Sequence, residues 1–223
     1  MAKIIFWEDF LKRRKRWTVG FISIVGVFLI IVGGLVARNY NLASKLIERE
    51  NIVMSNIDFY IKEEILKILR PKGISVGQGL DIANAVVNKS KEKDIPVGKV
   101  LGIMKKESEF NIHAKSSAGA TGLMQILPST WDIYVKKLKL DVSRQAMTDP
   151  YVNIMVALEI LADLRDLYKS KDVPDSKLWD YVLAAYFAGT KSANNGITGE
   201  KRKYVEAVNK RSDSYKYIDR GKM

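Results

Sequence analysis

An unbroken apolar run, "WTVGFISIVGVFLIIVGGLVA" from Trp17 to Ala37, precedes a chain in which apolar and polar residues alternate almost everywhere at helical spacing. The run contains no charged residue. Its twenty positions from Thr18 to Ala37, at about 1.5 Å each, extend roughly 30 Å, the depth of a bilayer's hydrocarbon core. Residues 17–37 are therefore expected to form one transmembrane helix with Trp17 at the interface. Upstream lies "KRRKR", Lys12 to Arg16, whereas only Arg38 precedes Lys45 on the other side. The positive-inside rule leaves a basic cytoplasmic N-terminus, residues 1–16, and exports the chain beyond Ala37. A cleaved signal peptide would have an apolar core of about 7–15 residues closed by a small-x-small site. Leu35-Val36-Ala37 fits that site poorly and the run is too long, so an uncleaved anchor in the cytoplasmic membrane is expected.

Beyond the run, residues 38–72 place apolar side chains at helical intervals and stop at Arg70-Pro71-Lys72-Gly73, which predicts a helical stalk. From Gly73 on, the period stays near 3.6. Gly79–Lys93 and Pro96–Phe110 read as helices, the second with proline in its first turn. Pro128 with Ser129 and Asp149 with Pro150 are further start signals, and Gly189 stops the segment "KLWDYVLAAYFAG". Strand signals are nearly absent and there is no internal repeat. The pattern predicts one all-α domain over residues 73–223.

Composition narrows the chemistry. There are no cysteines, which removes disulfides, zinc-thiolate sites, thiol nucleophiles and a lipidated N-terminal cysteine. His113 is the only histidine, so no metal and no cofactor are expected. Thirty-seven basic residues against 25 acidic ones suit an anionic partner. In residues 73–223, however, basic and acidic side chains alternate and form no stripe interleaved with aromatics, which argues against nucleic acid.

One carboxylate stands out. Glu107 ends an apolar helical segment and precedes residues too small to cover it, so partial burial would raise its pKa and make it a candidate general acid. Read alone, such a residue is more often a solvated charge at a helix end. Glu109 and Asp132, the nearest other acids, read as solvated helix charges.

The neighbours of Glu107 add a pattern. Glu107-Ser108, Phe110-Asn111, Ala114, Ser116, Gly119-Ala120, Gly122-Leu123-Met124-Gln125 and Pro128 resemble the signature of lytic transglycosylases with a lysozyme-like catalytic domain. "DPYVNIMVALEILADL", "AAYFAG" and "YVEAVNK" are similar to three later segments of that family, in the same order. The resemblance covers roughly Val76 to Lys210. It implies a lysozyme-like helical fold with a groove for peptidoglycan glycan strands, and one acid, Glu107, assisted by the substrate's own N-acetyl group. It also implies cleavage of the MurNAc to GlcNAc β-1,4 bond with a 1,6-anhydro product, and no cofactor.

By motif position Ser116, Gln125, Met124, Tyr186 and Phe187 would line the substrate groove, with the Tyr186 hydroxyl reaching the catalytic carboxyl. Met124 and Tyr186 read equally as core and Ser116 as a turn residue. Ser108 is expected to bond backbone, and Gly119 and Gly122 to allow positive φ or close approach of a ligand. Phe187 departs from the family, which usually has asparagine there; on that ground Phe187→Asn is expected to leave activity equal or higher. Hydrolysis in the manner of goose-type lysozymes and a non-catalytic wall-binding scaffold are the competing functions. The partners expected are peptidoglycan, the membrane, and a wall-spanning secretion, conjugation, flagellar or division machinery.

Overall fold

The computed structural model describes residues 2–219, with the side chains of 2–11 and 16–25 outside the described set, so Trp17 and the first half of the expected anchor lie beyond it. The chain divides into two compact units, Met1–Ser55 and Asn56–Met223. Helix α1 spans Ala2–Leu69. Its stretch within the first unit exposes Phe28, Leu29, Ile30, Ile31, Leu35 and Val36. Within the second unit the same helix turns Ile61, Ile65, Leu66 and Leu69 into the core. A 3-10 turn, Arg70–Lys72, then ends at Gly73, whose φ of 74° suits a residue without Cβ.

The second unit is a helical cluster: α2 (Val76–Lys93), α3 (Val97–Glu107), α4 (Pro128–Lys137), α5 (Pro150–Lys169), α6 (Asp175–Ala188), α7 (Thr190–Asn194), α8 (Gly199–Asp213) and α9 (Lys216–Asp219). No strand forms among the described residues, only two isolated bridges, Lys115 with Thr121 and Thr121 with Ile126. Helix α5 is buried on nearly every side, through Ile154, Val156, Ala157, Leu158, Leu161 and Leu164, and so serves as the central core helix. Helices α2 and α6 pack on it, and α8 joins α6 to α3.

Local signals set these boundaries. The Ser75 hydroxyl accepts from Gln78 N–H at 3.3 Å and starts α2 earlier than Gly79. Asp149 does the same for Val152 N–H at 3.0 Å, with Pro150 in the first turn of α5. Helix α3 ends at Glu107, three residues short of the expected Phe110. Glu109 and Phe110 have φ of 52° and 67°, left-handed values that no right-handed helix accommodates.

The contact that matters most for the site is α3 against α8. Gly98 and Gly102, four residues apart, share one face of α3. A Cβ on Gly102 would fall 2.4 Å from the Ser212 hydroxyl and 3.0 Å from the Val208 carbonyl. The absence of side chains lets the two backbones approach, and the antiparallel crossing then places Tyr204 of α8 beside Glu107 at the end of α3.

Candidate active site

The segment from Ser108 to Leu127 joins α3 to α4 and is folded by its own polar groups. Backbone bonds link Ser116 with Ala120, Gly122 with Ala114, and Thr121 with Ile126 in both directions. The Ser108 hydroxyl, buried, lies 3.0 Å from the Met104 carbonyl and 2.9 Å from the Leu123 carbonyl, tying loop to helix. Ser116 Oγ accepts from Ala120 N–H at 3.0 Å. Gln125, at φ 48°, donates through Nε2 to the carbonyls of Ala114 and Gly122, both at 3.0 Å.

From below, Asn153 of α5 clamps the same loop. Its side chain, fully buried, accepts from Met124 N–H at 2.9 Å and donates to the carbonyls of Thr121 and Met147 at 3.1 and 2.8 Å. Gly122, at φ 83°, packs so tightly here that a Cβ would stand 2.5 Å from the Asn153 amide nitrogen and from the Met147 carbonyl. Its role is this packing. Gly119, at φ 80°, turns the loop near the Pro128 ring.

The loop walls a cleft of about 690 Å³. Glu107 stands in it with Ser116, Gln125 and Thr130; Ile126, Leu127, Ile160 and Leu164 supply apolar surface, and Tyr186 and Phe187 belong to the α6 wall. Glu107 is its only acid among the described lining residues. Glu109 is paired with Lys105 and Asp132 with Arg144, and each pairing holds its exposed carboxyl below the ordinary range. Neither lines the cleft. No group of three or more His, Asp or Glu among the described residues lies close enough to hold a metal ion. His113 lines a separate hollow with Lys72 and Gln78.

Burial pushes the Glu107 carboxyl above its ordinary value; the Tyr204 hydrogen bond and the Lys106 charge oppose the shift without cancelling it. The Tyr204 hydroxyl donates to Glu107 Oε1 at 2.5 Å. Burial, followed by the charge of Glu107, keeps that phenol protonated far beyond its usual range, so it remains a donor.

Two expectations need correction. Tyr186 does not bond Glu107: its hydroxyl donates to the Met124 carbonyl at 2.8 Å, and the carboxyl's partner is Tyr204. Met124 does not line the cleft either, because its side chain is fully buried. It takes part through its backbone, between Asn153 and Tyr186. Ser116, Gln125, Tyr186 and Phe187 do share the cleft with Glu107.

The Tyr204 bond fixes the sign of a pH effect. A hydroxyl donating to a carboxylate favours the charged form, so its loss lets Glu107 hold its proton to higher pH. If Glu107 is a general acid, Tyr204→Phe moves the alkaline limb of kcat/KM upward and lowers its plateau by roughly tenfold, the scale of a hydrogen bond to a charged group. A pH profile of the catalysed reaction measures both. An unmoved limb would separate Tyr204 from the acid's ionisation.

Comparison with known proteins gives a consistent set. The profile of the transglycosylase SLT domain matches residues 84–209. The membrane-bound lytic murein transglycosylase C of Glaesserella parasuis is 34% identical over 124 residues, 54% of this chain and 34% of that protein. Its counterpart in Edwardsiella ictaluri is 33% identical over 116 residues, 51% of this chain and 32% of that one. The aligned part thus spans about a third of the curated relatives' length. Among solved structures, the 70 kDa soluble lytic transglycosylase of Escherichia coli superposes with a TM-score of 0.53 at 24% identity, over 60% of this chain and 24% of that chain. An inactive mutant of the Pseudomonas aeruginosa lytic transglycosylase Slt gives 0.51 at 23%, over 57% and 22%. These structures establish the lysozyme-like helical fold.

Proposed function

The chain belongs to the transglycosylase SLT domain family, and from that membership we propose that it is a membrane-anchored lytic transglycosylase acting on peptidoglycan. It cleaves the β-1,4 bond between N-acetylmuramic acid and N-acetylglucosamine and leaves a 1,6-anhydro ring. Glu107 carries this proposal: a partly buried carboxyl, protonated more readily than an ordinary glutamate, and the sole acid among the described lining residues.

A glycosidase with two carboxylates assigns one to protonate the leaving oxygen and the other to attack or to activate water. With one carboxyl, the second task falls to the substrate. Glu107 donates its proton to the glycosidic oxygen as the C–O bond breaks, while the muramic N-acetyl oxygen supports the anomeric carbon. The Glu107 carboxylate then takes the proton of the sugar's 6-hydroxyl, whose oxygen closes the anhydro ring. The carboxyl ends as it began, and no water is consumed. Ser116, Gln125, Tyr186 and Phe187 form the proposed substrate wall, supported by Ser108, Gly119, Gly122 and Asn153.

Residues 17–37 are proposed to anchor the chain in the cytoplasmic membrane, N-terminus inside, with the catalytic domain, residues 73–223, on the periplasmic side. In support, the described part of α1 from Gly26 contains a window apolar enough to cross a bilayer, and the basic residues Lys12–Arg16 precede it. The named relatives are themselves called membrane-bound. Protease added outside spheroplasts should digest the catalytic domain; protection would reverse the orientation. Such a tether suits local opening of the wall for a secretion, conjugation, flagellar or division apparatus.

Mass spectrometry of digested peptidoglycan tests the reaction. The expected product is lighter by one water than the hydrolytic one. Hydrated ends would make the enzyme a muramidase, and binding without products would make it a scaffold.

A further inference from the structure

Phe187, where the family pattern expects asparagine, makes a contact that asparagine cannot. Its ring lies parallel to that of Tyr204, with centroids 4.6 Å apart and planes inclined by 15°. Phe187 is the penultimate residue of α6, and 46% of it stays exposed at the cleft wall. Tyr204, on α8, is 3% exposed and gives its hydroxyl to Glu107. Three helices therefore meet in one chain of contacts: phenyl on phenol, phenol on carboxyl.

We propose that Phe187 is a positioning residue for Glu107, holding the Tyr204 ring so that its hydroxyl stays on the carboxyl. The proposal rests on Glu107 being the catalytic acid. The phenol cannot swing without breaking the stack, and a stacked aromatic pair contributes enough to bias its orientation severalfold. The Lys106 ammonium, 6.0 Å from the centroid of the same ring, is a weaker second contact. The ionisable groups that act on Glu107 from the packed helices are Tyr204 of α8, Tyr186 of α6 and Lys106 of α3. Of these, Tyr204 alone hydrogen-bonds the carboxyl, so the stack acts on the group that matters most for its geometry. The same contact reverses the expectation for Phe187→Asn, whose kcat should fall.

The test uses the full chain in detergent micelles, labelled with ¹³C at glutamate carboxyls and assigned with Glu107→Gln. Glu107 is titrated in the wild type, Phe187→Leu, Tyr204→Phe and the double variant. Leucine keeps the apolar bulk and loses the stack. Phe187→Leu should move the Glu107 midpoint upward, as Tyr204→Phe does but by less, and add nothing in the Tyr204→Phe background. On peptidoglycan its kcat should fall about two- to tenfold, the effect of losing a stacked pair, beside whatever KM change follows from its place in the cleft wall. An unmoved midpoint, an additive shift in the double variant, or a change confined to KM with kcat intact would overturn the proposal, the last by leaving Phe187 a wall residue and nothing more. If the wild type releases no products, the function assignment fails, while the titration still decides the positioning role.

Discussion

Glu107→Gln should abolish glycan cleavage, by roughly two to four orders of magnitude, the range that general acid-base catalysis contributes. The amide keeps the shape of the side chain and can still accept from Tyr204, so binding of glycan strands should survive. Stability should change in the opposite direction to activity. A carboxyl whose folded pKa lies above its unfolded value favours folding fully below the unfolded pKa, and that contribution disappears as pH rises through the folded one. At neutral pH the variant should therefore melt higher than the wild type, and the gap should close in acid, where both side chains are neutral. Cleavage at near wild-type rate, or a gap that widens in acid, would contradict the assignment.

The second large effect is on the loop. Asn153→Ala deprives three buried backbone groups, Met124 N–H and the carbonyls of Thr121 and Met147, of their partner. Each orphaned group costs about 1–3 kcal/mol, so the loss should be ~3 kcal/mol or more. For a chain of this size that lowers the melting temperature by about 6–12 °C. Activity should fall further than stability alone explains, because the Met124 backbone released by Asn153 is also the acceptor for Tyr186 on the cleft wall. Differential scanning calorimetry beside a cleavage assay measures both; an unchanged melt would show that water replaces the amide without penalty.

Much of this is legible in the sequence. The helices from Val76 onward follow the apolar period and its caps, and the small-residue loop after Glu107 marks the cleft because chemistry-bearing residues stand there in one short segment. Long-range partners are less legible. Tyr204 lies 97 residues from Glu107 and shares an apolar helix face with Val205 and Val208, so its ring reads as core. A buried tyrosine still needs a partner for its hydroxyl, and that requirement is the signal available to find it. Tyr186 turns to a different acceptor for a related reason: position in a motif indicates proximity to the acid but not which of two nearby phenols faces it. Met124 illustrates the ambiguity of an apolar residue beside a polar loop, where only burial separates wall from core. The helix end at Glu107 is hidden because the apolar pattern continues to Phe110, while the left-handed turn at Glu109 and Phe110 has no glycine to announce it.

Glycan strands whose muramic residues have been de-N-acetylated offer the most direct test, because one carboxyl can suffice only if the sugar's acetamide does the other half of the work. The wild-type enzyme should release no anhydro product from such strands and should recover when the same strands are chemically re-acetylated. Cleavage of the deacetylated strands at an undiminished rate would mean that a protein group supplies the second function, and the single-acid mechanism would be wrong.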